Sequence, residues 1–176
     1  MPKKIVIIGP ESTGKSTLCD QLSGHFNTLW CPEYARGYLL KHGKKYSYDD
    51  LLTIAKGQLQ LEAEYTAKAG NQSLLFIDTD MYVMKVWCEF VFGKCHQWIL
   101  DRITKQQYDL YLLCKPDLPW IKDELREYPD EARRIKLYHF YKDLLVNQST
   151  PWVEISGNYD ERLQTAISAV HTLLKN

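Results

Sequence analysis

One eight-residue segment restricts the possible folds of this chain more than any other feature of its sequence. It reads Gly-Pro-Glu-Ser-Thr-Gly-Lys-Ser at residues 9–16 and matches the pattern G-x-x-x-x-G-K-[ST]. The β-branched run at residues 4–8 predicts a buried strand before it, and residues 15–25 predict a helix after it. Glycines let such a loop turn its N–H groups inward, and the helix adds its positive end. We therefore predict a phosphate-binding loop between a strand and a helix.

The polar side chains of this loop have expected partners. Lys15 can reach the β- and γ-phosphates of ATP, and the hydroxyl of Ser16 can ligate Mg²⁺. A second magnesium ligand is expected at the end of a neighbouring strand, where Asp78 follows an apolar run. ATP and Mg²⁺ are therefore the predicted cofactors. The predicted nucleotide contacts in the loop are Gly9, Glu11, Ser12, Thr13, Gly14, Lys15, Ser16 and Thr17.

Strand and helix signals alternate along the rest of the chain. Further strands are predicted at residues 29–33, 73–78, 108–114 and 152–155. Further helices are predicted at residues 49–69 and 131–145, and from Asn158 onward, where Glu161 completes a capping box. Strands separated by helices favour a parallel sheet. The predicted fold is α/β: a three-layer P-loop kinase-type domain over residues 1–176, with a five-stranded parallel sheet and helices on both faces.

One irregular stretch interrupts this alternation. Residues 115–129 contain Pro116, Pro119 and Pro129 together with many charges. A long irregular segment inside a compact domain is usually functional, and closure over a ligand is a common role. We therefore predict a lid at about residues 115–130.

Composition excludes several classes of function. The 22 basic and 22 acidic residues leave no formal net charge, whereas nucleic-acid binding generally needs a positive surplus. No apolar run reaches the length of a membrane span, and the N-terminal one is too short for a signal peptide. The five cysteines form no zinc-binding pattern. We expect a cytoplasmic protein that acts on a small molecule, not on nucleic acid or membranes; the sequence does not indicate an oligomeric state.

Five segments beyond the loop have distinctive sequences. They are Pro-Glu-Tyr-Ala-Arg at 32–36, Ile-Asp-Thr-Asp at 77–80, Tyr-Asp-Leu-Tyr-Leu-Leu at 108–113, Leu-Pro-Trp-Ile-Lys-Asp-Glu-Leu-Arg at 118–126 and Ile-Ser-Gly-Asn-Tyr-Asp-Glu-Arg at 155–162. Taken with the loop, and in this order, they resemble the kinase half of NadR-type nicotinamide riboside kinases. The resemblance extends from residue 4 to about residue 170.

This resemblance implies an activity. It is transfer of the ATP γ-phosphate to the 5′-hydroxyl of nicotinamide riboside, giving nicotinamide mononucleotide in NAD salvage. No H-x-G-H-type signature occurs in the sequence, so we expect the adenylyltransferase activity of bifunctional members to be absent. The chain departs from the family at Pro32, where some members carry an aromatic ring that can stack on the nicotinamide.

The acceptor site is expected just beyond the second and third strands. Glu33 is placed to accept the proton of the attacking hydroxyl or to hold the ribose hydroxyls. Arg36 can pair with Glu33 or face a phosphate, and Asp80 either caps a helix or serves the substrate, including as the base. Aromatic partners for the nicotinamide are left open among Tyr34, Tyr38, Trp87 and Trp98.

The lid and the C-terminal helix supply further candidates. Arg126 is the predicted γ-phosphate clamp, because a guanidinium offers bidentate bonds to phosphoryl oxygens, and Asp123 is placed to orient it. Trp120 either closes over the substrate base or anchors the lid. Tyr159 and Arg162 resemble the family's loop beside adenine. The later arginines Arg133 and Arg134 are expected on the solvated surface of a helix.

The predicted residues form two sets. The catalytic set is Lys15, Glu33, Asp78 and Arg126. The substrate-binding set is Glu33, Tyr34, Arg36, Asp80, Trp120 and Asp123. Two alternatives remain open: a kinase of another nucleoside-like metabolite, and an ATP-dependent regulatory module without a small-molecule acceptor.

Overall fold

The computed structural model describes residues 1–175, which form five strands and seven helices. The strands are β1 (Lys3–Ile8), β2 (Leu29–Cys31), β3 (Leu74–Asp78), β4 (Leu110–Cys114) and β5 (Trp152–Ile155). The helices are α1 (Lys15–Phe26), α2 (Tyr34–His42), α3 (Tyr48–Ala69), α4 (Met81–Phe92), α5 (Gln97–Ile103), α6 (Glu131–Val146) and α7 (Tyr159–Lys175).

All five strands run parallel in the order β2-β3-β1-β4-β5. Ile7 pairs with Asp78 and Cys31 pairs with Ile77, so that the carboxyl ends of β1, β2 and β3 lie side by side. In an open parallel sheet, ligands bind at this edge of the strands. The segments that follow β1, β2 and β3 are therefore brought to one place although they are far apart in sequence.

Alternate residues of the strands pack against different helices. Ile5 and Ile7 of β1 contact a cluster formed by α1 and α7, whereas Val6 and Ile8 contact a cluster formed by α4 and α6. A strand that is buried on both faces in this way reads as a continuous apolar run. The predicted α/β fold, a five-stranded parallel sheet with helices on both faces, is confirmed. A third cluster joins α2, α3, α4 and α5 beside the sheet.

The structure corrects several predicted boundaries. Strand β2 ends at Cys31 and not at residue 33, because Pro32 has no N–H for the ladder. Strand β4 begins at Leu110, two residues later than predicted. The helices α2 and α5 were not predicted from the sequence, and α4 was considered only as the helix that Asp80 could cap. The capping box of α7 is present, since Asn158 and Glu161 exchange hydrogen bonds of 2.8 and 3.0 Å.

Among residues 1–175, none of the helices combines the length and the hydropathy needed to cross a membrane. The predicted lid, residues 115–130, lies between β4 and α6 and contains neither helix nor strand.

Candidate active site

The loop between β1 and α1 has the backbone geometry of an anion cradle. Gly9 has a φ of 149° and Gly14 a φ of 75°, values that favour glycine, and Ser12 between them has a φ of 56°. A Cβ atom at Gly9 would also lie only 2.6 Å from the carbonyl oxygen of Cys114. The loop therefore requires glycine at its first position both for its conformation and for its contact with β4. Helix α1 starts directly afterwards, at Lys15, with its N-terminus at the loop.

Two oxygen-bearing side chains meet beside this loop. The hydroxyl of Ser16 donates a 2.5 Å hydrogen bond to Oδ2 of Asp78. Burial raises the pKa of Asp78 above its ordinary value, and the charge of Lys15 opposes that shift. Among the described residues, His, Cys, Asp and Glu form no group of three that could hold a metal ion. The pair nevertheless fits Mg²⁺, which is commonly bound by one or two protein oxygens together with substrate phosphates.

A cleft of about 500 Å³ opens from the loop toward the ends of β2 and α4. Its volume is in the range that holds small-molecule ligands. Residues 9–17 form one wall, and the lid contributes Arg126, Glu127 and Tyr128. The opposite, acceptor end is lined by side chains from β2, α2, α4 and α6, among them Trp30, Pro32, Glu33, Leu39, Val83, Trp87, Phe90 and Tyr141. The predicted phosphate loop and Glu33 thus share one cleft.

Glu33 lies at the N-cap position of α2, half-buried in this cleft. Burial is the main cause that raises its pKa from 4.5 to about 7, and the nearby charge of Asp78 adds to the rise. Lys15 and Arg36 partly oppose it. A carboxyl group that titrates near neutrality is suited to accept a proton from an attacking hydroxyl.

Arg36 and Asp123 are paired with each other, which corrects both predicted pairings. The guanidinium donates to the two carboxylate oxygens at 3.2 and 3.0 Å. Arg36 therefore does not pair with Glu33, and Asp123 orients Arg36 of α2 instead of Arg126. Both residues still line the cleft. Because the Arg36 side chain is 52% exposed, water screens this pair, and it is a weak tie between α2 and the lid.

Glu11 of the loop holds the lid. Its carboxylate accepts hydrogen bonds from the indole of Trp120 at 3.2 Å and from the backbone N–H groups of Glu127 and Tyr128 at 2.9 and 2.5 Å. The hydroxyl of Ser12 accepts another from the N–H of Ile121 at 3.0 Å. The carboxylate of Glu11 therefore serves the lid in this structure, and the predicted contact of Glu11 with the nucleotide stays a prediction. Trp120 anchors the lid and does not line the cleft.

Besides Trp120, two further predicted substrate-binding residues lie outside the cleft lining. Of the roles left open for Asp80, the structure shows the cap: Oδ1 accepts from the N–H groups of Tyr82 and Val83, and Oδ2 accepts from the hydroxyl of Tyr111 at 2.8 Å. Tyr34 packs its ring against α3, so closely that a Cβ atom at Gly57 would lie 2.2 Å from it. Both side chains are occupied by contacts within the protein.

Arg162 is a buried brace, and its predicted place beside adenine stays a prediction. It is 2% exposed, and its guanidinium donates to the carbonyl oxygens of Gly157, Thr13 and Lys115 and to the carboxylate of Asp117. Its nitrogens are thus committed to the loop, to the end of β4 and to the start of α7. Tyr159 is 43% exposed beside Gly14, where its ring stands 3.4 Å from a Cβ atom placed on that glycine.

Of the two arginines on either side of the lid's end, Arg134 differs from expectation and Arg126 does not. Arg126 lines the cleft, and its Nη1 donates to the carbonyl oxygen of Ile121 at 2.6 Å. Its phosphate-clamping role stays a prediction. Arg134 was expected on a solvated helix surface, but it is 5% exposed, and its Nε and Nη1 have no hydrogen-bond partner among the described residues.

Several cleft residues were missed by sequence reasoning. Val83, Trp87 and Phe90 of α4 line the acceptor end, and only Trp87 was among the aromatic candidates. Their spacing of four and three residues is that of one helix face, and this pattern in the sequence could have indicated them. Leu137 and Tyr141 of α6 have the same helical spacing and were also missed as cleft residues.

Two curated proteins are similar to this chain over almost its whole length. The chain is 29% identical over 177 residues to the trifunctional NAD biosynthesis/regulator protein NadR of Escherichia coli (strain K12), in an alignment covering 98% of this chain and 43% of that protein. The protein of the same name from Salmonella typhimurium (strain LT2) gives the same identity and coverage. The chain therefore spans less than half the length of these curated relatives. The resemblance to NadR-type proteins that the motifs indicated is confirmed.

Solved structures agree in fold. The crystal structure of NadR protein in complex with NR superposes with a TM-score of 0.82 at 23% identity, covering 98% of this chain and 50% of that one. A thymidylate kinase from Ehrlichia chaffeensis superposes with a TM-score of 0.68 at 12% identity, covering 98% of both chains. A family model described as AAA domain matches residues 4–162. Because that match includes most of the sequence, with the phosphate loop near its start, the chain belongs to this AAA domain family.

Proposed function

We propose that this chain transfers the γ-phosphate of ATP to the 5′-hydroxyl of nicotinamide riboside, giving nicotinamide mononucleotide and ADP. The observation that carries the proposal is the position of Glu33. This carboxyl group, with a pKa raised to about 7, lines the same cleft as the phosphate loop. A phosphate cradle and a group able to accept a proton are the two parts that a small-molecule kinase needs in one cleft. The NadR relatives support the choice of acceptor.

The loop and its neighbours would hold the nucleotide. Inward-facing N–H groups of residues 9–16 and the N-terminus of α1 suit the phosphates of ATP. Lys15, whose ammonium donates to the carbonyl oxygen of Pro10 at 3.0 Å, is long enough to turn to the transferred phosphate. Ser16 and Asp78 would hold Mg²⁺, which, when bound, neutralises charge on the β- and γ-phosphates.

Glu33 and the lid would serve the acceptor. Glu33 would take the proton of the 5′-hydroxyl as the oxygen–phosphorus bond forms and the bond to ADP breaks. Phosphoryl transfer has a loose transition state, so holding the reactants in line is the larger contribution. The lid, tied to the loop through Glu11, would keep water away from the transferred group. Arg126 would add positive charge at the lid side of the cleft.

The acceptor end suits a cationic ring. Trp87, Phe90 and Tyr141 line it together with Glu33. Aromatic faces and a carboxylate both attract positive charge, and the nicotinamide of the riboside is a pyridinium cation. Pro32 also lines this end, so the stacking ring that some family members have at that position is supplied here by other aromatics of the cleft.

A kinase for another nucleoside-like metabolite is the second candidate. It is favoured by the thymidylate kinase fold match, which covers nearly all of both chains. A regulatory ATPase without an acceptor is disfavoured, because it would not need an acidic group and an aromatic wall opposite the phosphate loop. We place the activity in the cytoplasm, where ATP is available and where the five free thiols would remain reduced.

A coupled ADP-release assay tests the proposal. Nicotinamide riboside, uridine, cytidine, adenosine and thiamine are supplied at equal concentration with ATP and Mg²⁺, and Lys15→Ala serves as the inactive control. We expect the highest kcat/KM for nicotinamide riboside. A preference of tenfold or more for another compound corresponds to about 1.4 kcal/mol in transition-state binding. It would retain the proposed kinase activity and overturn nicotinamide riboside as the substrate. Equal ADP release with and without any acceptor would overturn the kinase itself.

A further inference from the structure

Three hydrogen-bonding groups connect the acceptor end of the cleft to the lid. The indole N–H of Trp87 donates to the hydroxyl of Tyr46 at 2.9 Å, and that hydroxyl donates to Oε2 of Glu127 at 3.0 Å. Trp87 and Glu127 both line the cleft, whereas Tyr46 lies behind them in the segment between α2 and α3. The N–H of Glu127 continues the path to Glu11, at 2.9 Å. The aromatic wall and the phosphate loop are thus joined through the lid.

The middle member of this path has to be a group that both accepts and donates. An indole N–H can only donate, and an ionised carboxylate can only accept. A phenolic hydroxyl does both at once, and Tyr46 is used in both directions here. Phenylalanine at this position would keep the ring and break the path at two points.

The ring of Tyr46 is fixed independently of its hydroxyl. It packs edge-on against Trp87, with ring centroids 5.0 Å apart, and against Phe92, with centroids 6.3 Å apart. Edge-to-face contacts of this kind stabilise a ring position without hydrogen bonds. Removal of the hydroxyl should therefore leave the ring in place, so that Tyr46→Phe is a selective change.

The other hydrogen-bonded ties of the lid, as far as the described residues show, contain no aromatic side chain of the cleft, although the ring of Phe90 also packs edge-on against Tyr128 of the lid, with centroids 5.5 Å apart. Arg36 joins Asp123 to α2, and Glu11 joins Trp120 and two backbone N–H groups to the loop. Trp120 is not part of the cleft lining. Of the hydrogen-bonded ties described, the one through Tyr46 includes a side chain, Trp87, against which an acceptor could lie.

We propose that Tyr46 is a positioning residue that couples occupation of the acceptor end to closure of the lid. An acceptor ring packed against Trp87 restricts the indole, the indole restricts the hydroxyl of Tyr46, and the hydroxyl holds Glu127 and the lid in place. This deepens the proposed function: the identity of the acceptor rests on that function, while the link between Tyr46 and the lid does not.

Steady-state kinetics of Tyr46→Phe form the first test. We expect kcat with nicotinamide riboside to fall about tenfold, the effect of one lost hydrogen bond to a charged group, and the KM for ATP to stay within twofold. The share of ATP hydrolysed without acceptor phosphorylation should rise, because water enters a lid that closes less often. Tyr38→Phe is the matched control, since that hydroxyl also donates to a carboxylate, Asp50 at 2.6 Å, but away from the lid and the cleft lining.

A double-mutant cycle separates coupling from simple loss of packing. If Tyr46 acts through Glu127, then Tyr46→Phe combined with Glu127→Ala should lower kcat no further than Glu127→Ala alone. Additive losses from the two changes would show that the hydroxyl and the carboxylate act separately, and they would overturn the proposal.

Lid protection gives a readout that does not depend on turnover. Trypsin can cleave after Lys122 and Arg126, and hydrogen exchange reports on the N–H groups of Glu127 and Tyr128 that bind Glu11. We expect nicotinamide riboside alone to slow both processes severalfold in the parent and in Tyr38→Phe. Tyr46→Phe should still bind the compound in a calorimeter yet lose that protection. Retained protection in Tyr46→Phe would overturn the coupling.

The outcomes also separate this proposal from the proposed function. If the parent binds no nicotinamide riboside, the proposed function fails. Hydrogen exchange of the ligand-free proteins still tests the role of Tyr46. Exchange at residues 127 and 128 should then be faster in Tyr46→Phe than in the parent and in Tyr38→Phe. Equal exchange in all three proteins would show that the hydroxyl does not hold the lid.

Discussion

The hydroxyl of Ser16 and the carboxylate of Asp78 are joined by a hydrogen bond of 2.5 Å across two adjacent strands. Ser16 belongs to the first turn of α1, and Asp78 is the last residue of β3. Strand β1 pairs with β3 such that Ile7 is opposite Asp78, and this register delivers the two oxygens to one point. The register of the sheet therefore brings the end of β3 beside the start of α1.

Asp78→Asn should raise the Mg²⁺ concentration needed for half-maximal ADP formation while leaving acceptor affinity nearly unchanged. The amide still accepts from Ser16 but contributes no charge to a cation. Because burial already disfavours the carboxylate, the free variant should be at least as stable as the parent. A magnesium titration of the variant that overlays the parent's would remove Asp78 from the metal site. Asp80→Asn, at the nearby helix cap, is the comparison and should leave the titration unchanged.

Lys15→Ala should lower phosphoryl transfer by at least about 10²–10³-fold, as expected when a donor to developing charge is lost. The fold should be retained, because among residues 1–175 the ammonium group has one hydrogen bond, to the carbonyl oxygen of Pro10. Turnover and circular dichroism measured together check both statements. Near-normal turnover in a folded variant would place the phosphates elsewhere. The exposed Lys44→Ala should behave like the parent.

The acid limb of the kcat/KM profile should have an apparent pKa near 7, because kcat/KM reports on ionisations of the free enzyme and Glu33 must be charged to accept a proton. Glu33→Gln should lower the rate and abolish this limb. Stability has the opposite pH dependence: the folded pKa lies above the unperturbed 4.5, so folding favours the protonated form. That contribution is complete below pH 4.5 and is lost as the pH rises to about 7. A limb of the same pKa in Glu33→Gln would assign it to another group.

Arg126→Lys should lower kcat about tenfold or more and leave both KM values within twofold. Lysine keeps the charge but loses the planar pair of donors that matches a phosphoryl group in the transition state. Steady-state kinetics measure this directly. Arg133→Lys, at an exposed position of α6, is the matched control. A raised KM with unchanged kcat would make Arg126 a ground-state binding residue.

Arg162→Met should lower the free energy of unfolding by at least about 2 kcal/mol, since it removes charged hydrogen bonds to Thr13, Lys115, Gly157 and Asp117. Urea unfolding measures the loss, and Lys175→Met in the same helix should change little because Lys175 is exposed. Unchanged stability together with weaker ATP binding would return Arg162 to the predicted place beside adenine.

The sequence predicted most of the fold because its signals were local. The run at residues 4–8 is apolar because β1 is buried on both faces, and the turn before Lys15 needs glycine for its backbone. Helices α2, α4 and α5 were missed for a different reason. They pack against one another and α3 in a separate cluster, and although α4 has a helical spacing of apolar residues, the sequence does not show which neighbours these helices meet.

The sequence predicted those parts of the candidate site in which all the residues belong to one short segment. Lys15 and Ser16 follow from the loop alone. The pairing of Arg36 with Asp123 and the contact of Glu11 with the lid were not predicted, because each joins residues more than 80 positions apart in the sequence. Such long-range pairs depend on how the lid lies over the sheet. The charges and the spacing of residues within one segment do not specify the position of the lid.

Gly57 in the middle of α3 sets the position of the acceptor end although it lies outside the cleft lining. Glycine inside a helix costs about 1 kcal/mol relative to alanine, yet here the ring of Tyr34 occupies the space that a methyl group would fill. Alanine at this position would push the first residue of α2 away from α3, and with it Glu33 and Arg36 on either side. The absence of a Cβ atom at Gly57 thus sets the distance between α2 and α3. It thereby also sets how far Glu33 lies from a substrate in the cleft.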